Sequence, residues 1–442
     1  MSDPLASPRP VHFDEITIRF FRQLYYQNEQ VYQLEVRRSP GPLPGGAFQA
    51  DFDAQLDRFG QIFNQRLLES RFFYRYQPSV AEPETVNQLA ELGRQLYALL
   101  PEPFRLALPR LLQHVFDRGR GVRLIIEARA GDQAERLLSL PWELLFFQGT
   151  GVYPARSPRV VIVRRLLETI RRSPIALAPP FEVVHVIAHS AAGPQKYQLD
   201  PQLQQAEQTA IQHGVAPEHY HPVTDPGSIA QMLAVVRAER GHIVHFLGHG
   251  EFFEAGRSCL RFVDEAGDSQ WVTGAQLQQL LSFSPEVQVV VLNACHGGAV
   301  ATANVALELV HSGLPYVVAI QNDILQDAAG HFSRAFYAEL QRSADVAYAV
   351  AVGRAEIAAR LPDTIDWCLP VLYTSAGLPE PSLPVKVAET GWHWASIPQS
   401  GPVIALANLA FGGIHLLLGL LLWLSGAAPP LPNITVLGWL TL

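Results

Sequence analysis

Cysteine is scarce in this chain. There are three, Cys259, Cys295 and Cys368, far apart in 442 residues. No CxxC pair exists, so neither a zinc ribbon nor a disulfide framework is supported, and reduced thiols in a reducing compartment fit the pattern. Charge is sparse too, at 17% of residues against 48% hydrophobic, with a net charge of −8. That balance belongs to a well-buried α/β protein rather than a disordered chain. It lacks the basic stripe of a nucleic-acid binder, and the pairs Arg164-Arg165 and Arg171-Arg172 read as a solvated face. There is no GxGxxG after a first strand and no GxxxxGK(S/T) loop, which sets aside a nucleotide-binding domain, and no GxSxG elbow, which sets aside a serine hydrolase. No repeat of fixed period is found. The opening MSDPLASPRPVHFDE has no apolar core and does not read as a signal peptide.

Charged side chains disappear altogether after Glu389. Within that stretch Pro402 to Leu424 is an apolar run of 23 residues, flanked by Trp392, Trp394, Trp423 and Trp439. At about 1.5 Å per residue it reaches about 34 Å, enough for a bilayer core of about 30 Å, and the tryptophans suit its interfaces. The alternative, a buried core helix, would rarely go so far without a polar face. The expectation is therefore one transmembrane helix at 402–424 within a membrane segment 401–442, after a linker at 379–400 rich in Pro, Gly and Ser. ITVLGWLTL, near the end, is too short to span as a straight helix. Without a signal peptide, and with unpaired thiols, the remainder of the chain is expected to face the cytoplasm. Orientation by charge is silent, because no Lys or Arg lies close to the span.

The length calls for two or three domains. ITIRFF and VYQLEV alternate as two strands within 13–38, and helical spacing follows around 52–68 and 85–100. A further helix is read over Leu106–Phe116. Residues 1–84 form a small N-terminal α+β region in this reading. Strands are then read at 123–128, 159–166 and 181–188, and a helix at 199–212 with Asp200 as cap and Pro201 at its first position. A helix at 225–240, the strand HIVHFLG, a hairpin around DEAGD, a helix capped by Thr273 and a strand from Val287 to Leu292 come next. Helix 301–312, strand 315–321 and two helices between 327 and 360 complete the series. Strand–helix alternation of this kind implies a mostly parallel sheet with helices on both faces.

Two strand ends carry the chemistry. In HIVHFLGHGEF the strand is read as ending at Leu247, before Gly248-His249-Gly250; in VVVLNACHGGA it ends before Asn293-Ala294-Cys295. Functional groups of doubly wound sheets gather at such ends. If the strands are neighbours, an imidazole and a thiol meet across one groove, which is what nucleophilic acyl transfer requires. Cys295 is then the nucleophile and His249 the general base. The backbone N–H groups of Gly250 and Cys295 are the candidate oxyanion donors. The bland reading is a satisfied strand-end histidine and a core thiol. His242, His245 and His249 have poor geometry for a metal, and Cys259 and Cys368 read as buried small residues. Trp142 and Glu143 read as packing and helix-start features.

Four stretches together resemble a known family: LPWELL (140–145), IVHFLGHG (243–250), VVLNACHGG (290–298) and LPYVVAIQNDILQDAAGHFSRAFYAEL (314–340). They look like the CHAT family, the prokaryotic caspase-like domain, and the resemblance covers residues 85–378. It implies a caspase-like fold and a cysteine endopeptidase of the caspase and separase clan, needing no metal or organic cofactor. It also implies a protein substrate, for instance a co-encoded effector, and a place in bacterial signalling or defence. His249 lies 46 positions before Cys295, close to the caspase spacing of about 50. Asn293 departs from the clan, where Asp or Gln is common. Asp323, Asp327 and Glu251 are candidates for a pocket that holds a basic side chain, although Asp327 is equally placed to cap helix 328–341. The competing function is a catalytically silent scaffold of the same fold.

Overall fold

The two alternating stretches near the N-terminus form β1 (Phe13–Leu24) and β2 (Gln30–Arg38). In this computed structural model the described residues are 12–24, 30–49, 52–63, 83–131, 133–147, 151–167, 177–189, 199–224, 227–253, 257–264, 266–295, 299–322 and 324–375. Next come β3 (Gly46–Ala47), α1 (52–63), α2 (Pro83–Ala98), α3 (Glu102–Asp117), β4 (Gly121–Arg129) and β5 (Val160–Leu167). The chain continues through β6 (Val183–Ile187), α4 (Pro201–Gly214), β7 (Tyr220–Val223), α5 (Ile229–Ala238), β8 (Ile243–Phe253), β9 (Arg257–Val263) and β10 (Ser269–Thr273). It ends in α6 (Gly274–Leu281), β11 (Val289–Cys295), α7 (Ala299–His311), β12 (Tyr316–Ile320), α8 (Gln326–Ser343), α9 (Val346–Arg360) and β13 (Pro370–Thr374).

These strands build one 13-stranded sheet in the order β10-β9-β8-β11-β12-β13-β5-β4-β1-β2-β3, with β6 beside β8 and β7 beside β6. Most neighbours are parallel; the antiparallel pairs are β1–β2, β2–β3, β8–β9, β9–β10 and β12–β13. The sheet is thus the expected mixed α/β arrangement. β1 lies parallel to β4 over seven residues, so the N-terminal strand pair extends the same sheet. β6, β12 and β13 are buried at every position, as strands covered on both faces must be. Glu207 of α4 and Tyr337 of α8 reach His245 from one face. On the other face α7 is tied down by Asn304, which donates to Ser258 Oγ at 3.1 Å.

Three strands were not legible in the sequence: the two-residue β3, β7 and β13. β7 is four residues long with Pro222 inside it, which suits a strand paired on one side only. β13 follows a short turn after α9 and bridges β12 and β5.

LPWELL proves to be a buried hub: Trp142 and Glu143 open a short 3-10 turn, Trp142–Leu144, as the packing and helix-start reading expected, and Glu143 also anchors two arginines. Trp142 donates to Leu137 O at 2.8 Å and stacks on Phe20 with centroids 5.3 Å apart. Glu143 is 0% exposed. Its oxygens accept from Arg164 at 2.8 and 2.7 Å and from Arg354 at 2.9 Å. Arg164 also donates to the carbonyls of Leu138 and Leu140, both at 2.7 Å, and Arg354 to that of Val160 at 3.1 Å. Arg164 is therefore not part of a solvated face: a guanidinium needs partners on every side to be buried, and here it has them. Arg171-Arg172 lie outside the described residues.

Among the described residues no helix is long and apolar enough to cross a membrane. The stretches expected to span or touch one, 402–424 and 425–442, lie outside the described residues, as does the linker 379–400.

Candidate active site

β8 changes partner halfway along. Its first half, 243–247, pairs with β6 on one edge and with β11 on the other. β6 then leaves: Ala188 N–H donates to Leu247 O at 2.9 Å, and His189 N–H folds back to Ile187 O at 2.7 Å. From His249 onward the vacated edge is taken by antiparallel β9, beginning at His249 opposite Arg261. The expected end of the strand at Leu247 is thus corrected. Gly248-His249-Gly250 does not emerge from β8 but lies within it, because β9 supplies new hydrogen-bond partners where β6 stops. Gly248 is required there, since a Cβ would stand 2.5 Å from the Phe246 ring and 3.0 Å from Ala188 Cβ.

β11 stays in parallel register with β8 through seven residues, and the last pair is Cys295 with His249. In-register positions of neighbouring strands lie on one face of a sheet, about 4.8 Å apart. The two residues singled out by motif are therefore brought together by the backbone. His249 is 4% exposed. Gly250 follows it in β8, on the strand next to the one Cys295 ends.

The same cross-strand row continues to Arg261, opposite His249 on the other side. Arg261 is 1% exposed, with Nε donating to Ser269 Oγ at 2.8 Å and Nη1 to Ala188 O at 3.4 Å. It ties the end of β6 to β9 and β10 beside the candidate base. Sequence reasoning missed it. The available signal was an arginine in the middle of an apolar strand, CLRFV. Asn293, two positions before Cys295, is 3% exposed, and its Oδ1 has no hydrogen-bond partner.

The pocket candidates separate. Glu251 is half-buried on β8, two positions past His249, paired with Cys259. Asp327 is exposed in the first turn of α8. It is not the cap of that helix: the N-cap position is Leu325, whose N–H donates to Asp366 Oδ1 at 2.8 Å. Asp323 and His296 lie outside the described residues. Cys259 and Cys368 are buried, as expected. No group of three or more His, Cys, Asp or Glu among the described residues could hold a metal ion. His242 Nδ1 instead accepts from Glu182 N–H at 3.1 Å, and His245 Nδ1 meets the Tyr337 hydroxyl at 2.8 Å.

Comparison with known proteins adds a family. The profile described as CHAT domain matches residues 90–402, well over half of the chain. No curated protein sequence matches. Among solved structures, a complex of Porphyromonas gingivalis RgpB pro- and mature domains is similar at 10% identity, covering 65% of this chain and 68% of that one, with a TM-score of 0.34.

Proposed function

This chain belongs to the CHAT domain family, and from that premise we propose that it is a caspase-like cysteine endopeptidase working through Cys295 and His249. The observation that supports the reading most is the in-register pairing of those two residues across β11 and β8. In this mechanism His249 takes the thiol proton as the sulfur attacks the scissile carbonyl carbon. The N–H groups of Gly250 and Cys295 receive the oxyanion. The adduct collapses to a thioester as His249 passes the proton to the leaving amine. A water then loses a proton to His249 and cleaves the thioester, releasing the carboxylate product and restoring the thiol. Glu251, Asp323 and Asp327 are the pocket groups of this reading and favour a basic side chain before the cut. The substrate is a protein, such as a co-encoded effector, met close to a bilayer in which 402–424 anchors the chain with this site on the cytoplasmic side.

The test uses the full chain in detergent, an electrophilic peptide probe, and peptides that vary the residue before the cut. Wild type is expected to label and cleave. Cys295→Ala should lose both, and His249→Ala should lose cleavage by at least about a hundredfold. Equal labelling of wild type and Cys295→Ala sinks the assignment, and a wild type that neither labels nor cleaves favours the silent scaffold. Before detergent is added, membranes washed with alkaline carbonate should retain the protein.

A further inference from the structure

β6 and β8 carry the same spacing of histidines, HVIAH and HFLGH, and His185 is in register with His245. Four positions further on stand His189, just past the end of β6, and His249, within β8. The lower pair is fully buried, with rings 5.0 Å apart, edge to face. Each Nδ1 meets a tyrosine hydroxyl, His185 with Tyr220 at 2.7 Å and His245 with Tyr337 at 2.8 Å. Burial first, then Glu207 and Tyr220, pushes the Tyr337 phenol well above its ordinary range. Tyr220 is raised by burial and by Glu207.

Glu207 of α4 closes the network. It is 1% exposed, accepts from the Ser333 hydroxyl of α8, and stands 3.3 Å from His245 Nε2 through the same oxygen. Its other oxygen, and Nε2 of both histidines, make no hydrogen bond. Apolar residues of equal volume would fill this space without leaving three buried polar atoms unsatisfied, so the carboxylate is not explained by stability.

The elements it grips explain it better. His249 lies four strand residues beyond His245, about 13 Å away. Ser333 lies seven helical residues below Gln326, the start of α8, about 10 Å. Glu207 lies six residues below Pro201, the start of α4, about 9 Å. One carboxylate therefore sits where a strand rising to the candidate base crosses two helices whose first turns begin near its level.

We propose that Glu207 is a positioning residue: by accepting from Ser333 while packed 3.3 Å from His245 Nε2, it fixes the first turn of α8, with Asp327, relative to the strand that bears His249. This rests on the peptidase reading for its catalytic meaning, while its structural content can be measured without turnover.

The experiment follows hydrogen exchange at residues 329–332, the first hydrogen-bonded amides of α8, in the full chain. Glu207→Gln and Ser333→Ala are compared with Leu340→Ala, a core truncation in the same helix away from the network. Exchange there should rise on the order of tenfold in both network variants and stay near wild type in Leu340→Ala. On any peptide that wild type cleaves, Glu207→Gln should raise KM about tenfold and leave kcat within about twofold, the sign of lost binding geometry rather than lost chemistry. Unchanged exchange in a folded Glu207→Gln overturns the proposal, and so does an equal rise in Leu340→Ala. If Glu207→Gln does not fold, Ser333→Ala decides by the same criteria. A wild type that cleaves nothing overturns the peptidase reading and with it the catalytic meaning of Glu207, while the exchange result still decides the coupling.

Discussion

Glu143 is the residue on which the LPWELL segment turns. It is enclosed with Arg164 and Arg354, and removing it strands two guanidinium groups without solvent. Glu143→Ala is expected to cost about 3–5 kcal/mol, read from urea denaturation with an unchanged slope. The sequence marked LPWELL as important but not why, because its partners lie 21 and 211 positions away and a buried arginine runs against the usual pattern. His249 and Cys295 were easier to find. His249 stands between two glycines and Cys295 two positions before Gly297-Gly298, each following a largely apolar stretch, and the chemistry of the two side chains is mutually informative. Arg261 carried no such signature, since an arginine within a hairpin reads as solvent-facing until it is seen opposite the buried His249.

At the scale of elements, the errors share a cause. GHG looks like a break to any local reading, yet β8 runs through it because β9 arrives on that edge; pairing, not propensity, decides where a strand ends. β7 and β13 escaped for the same reason, being short pieces stabilised by their neighbours. The contact between β6 and β8 also sets a pH response. Burial, reinforced by His245, holds the His185 imidazole well below its ordinary value, and burial lowers His242. Below about pH 6.5 the unfolded chain binds protons that the folded chain refuses, so stability present above that pH is lost as pH falls toward the lowered folded values. The slope is about 1.4 kcal/mol per pH unit for each such imidazole. Melting temperature should therefore decline from pH 7 to pH 5, and His185→Gln should flatten that decline.

For the molecule as a whole, β13 holds two half-sheets together. It lies antiparallel to β12 over five residues and meets β5 at only two pairs, Tyr373 with Arg164 and Thr374 with Arg165. Thr374 Oγ1 donates to Pro315 O at 2.8 Å, and Gln321 Nε2 to the Tyr373 hydroxyl at 3.1 Å. Leu372→Pro, which removes a ladder donor in mid-sheet, is expected to unlatch both halves, with hydrogen exchange rising in β4 and β5 as well as in β12. There is also a consequence in time. β5 leaves the ribosome some two hundred residues before β13 exists, so throughout that interval the growing chain presents an unsatisfied strand edge, VVIVRRLL, in which six of eight residues are Val, Ile or Leu. Such an edge invites pairing with other chains. The nascent protein thus depends on β13 to become safe from aggregation, and the demand for chaperone protection should end only when residue 374 has been made and docked.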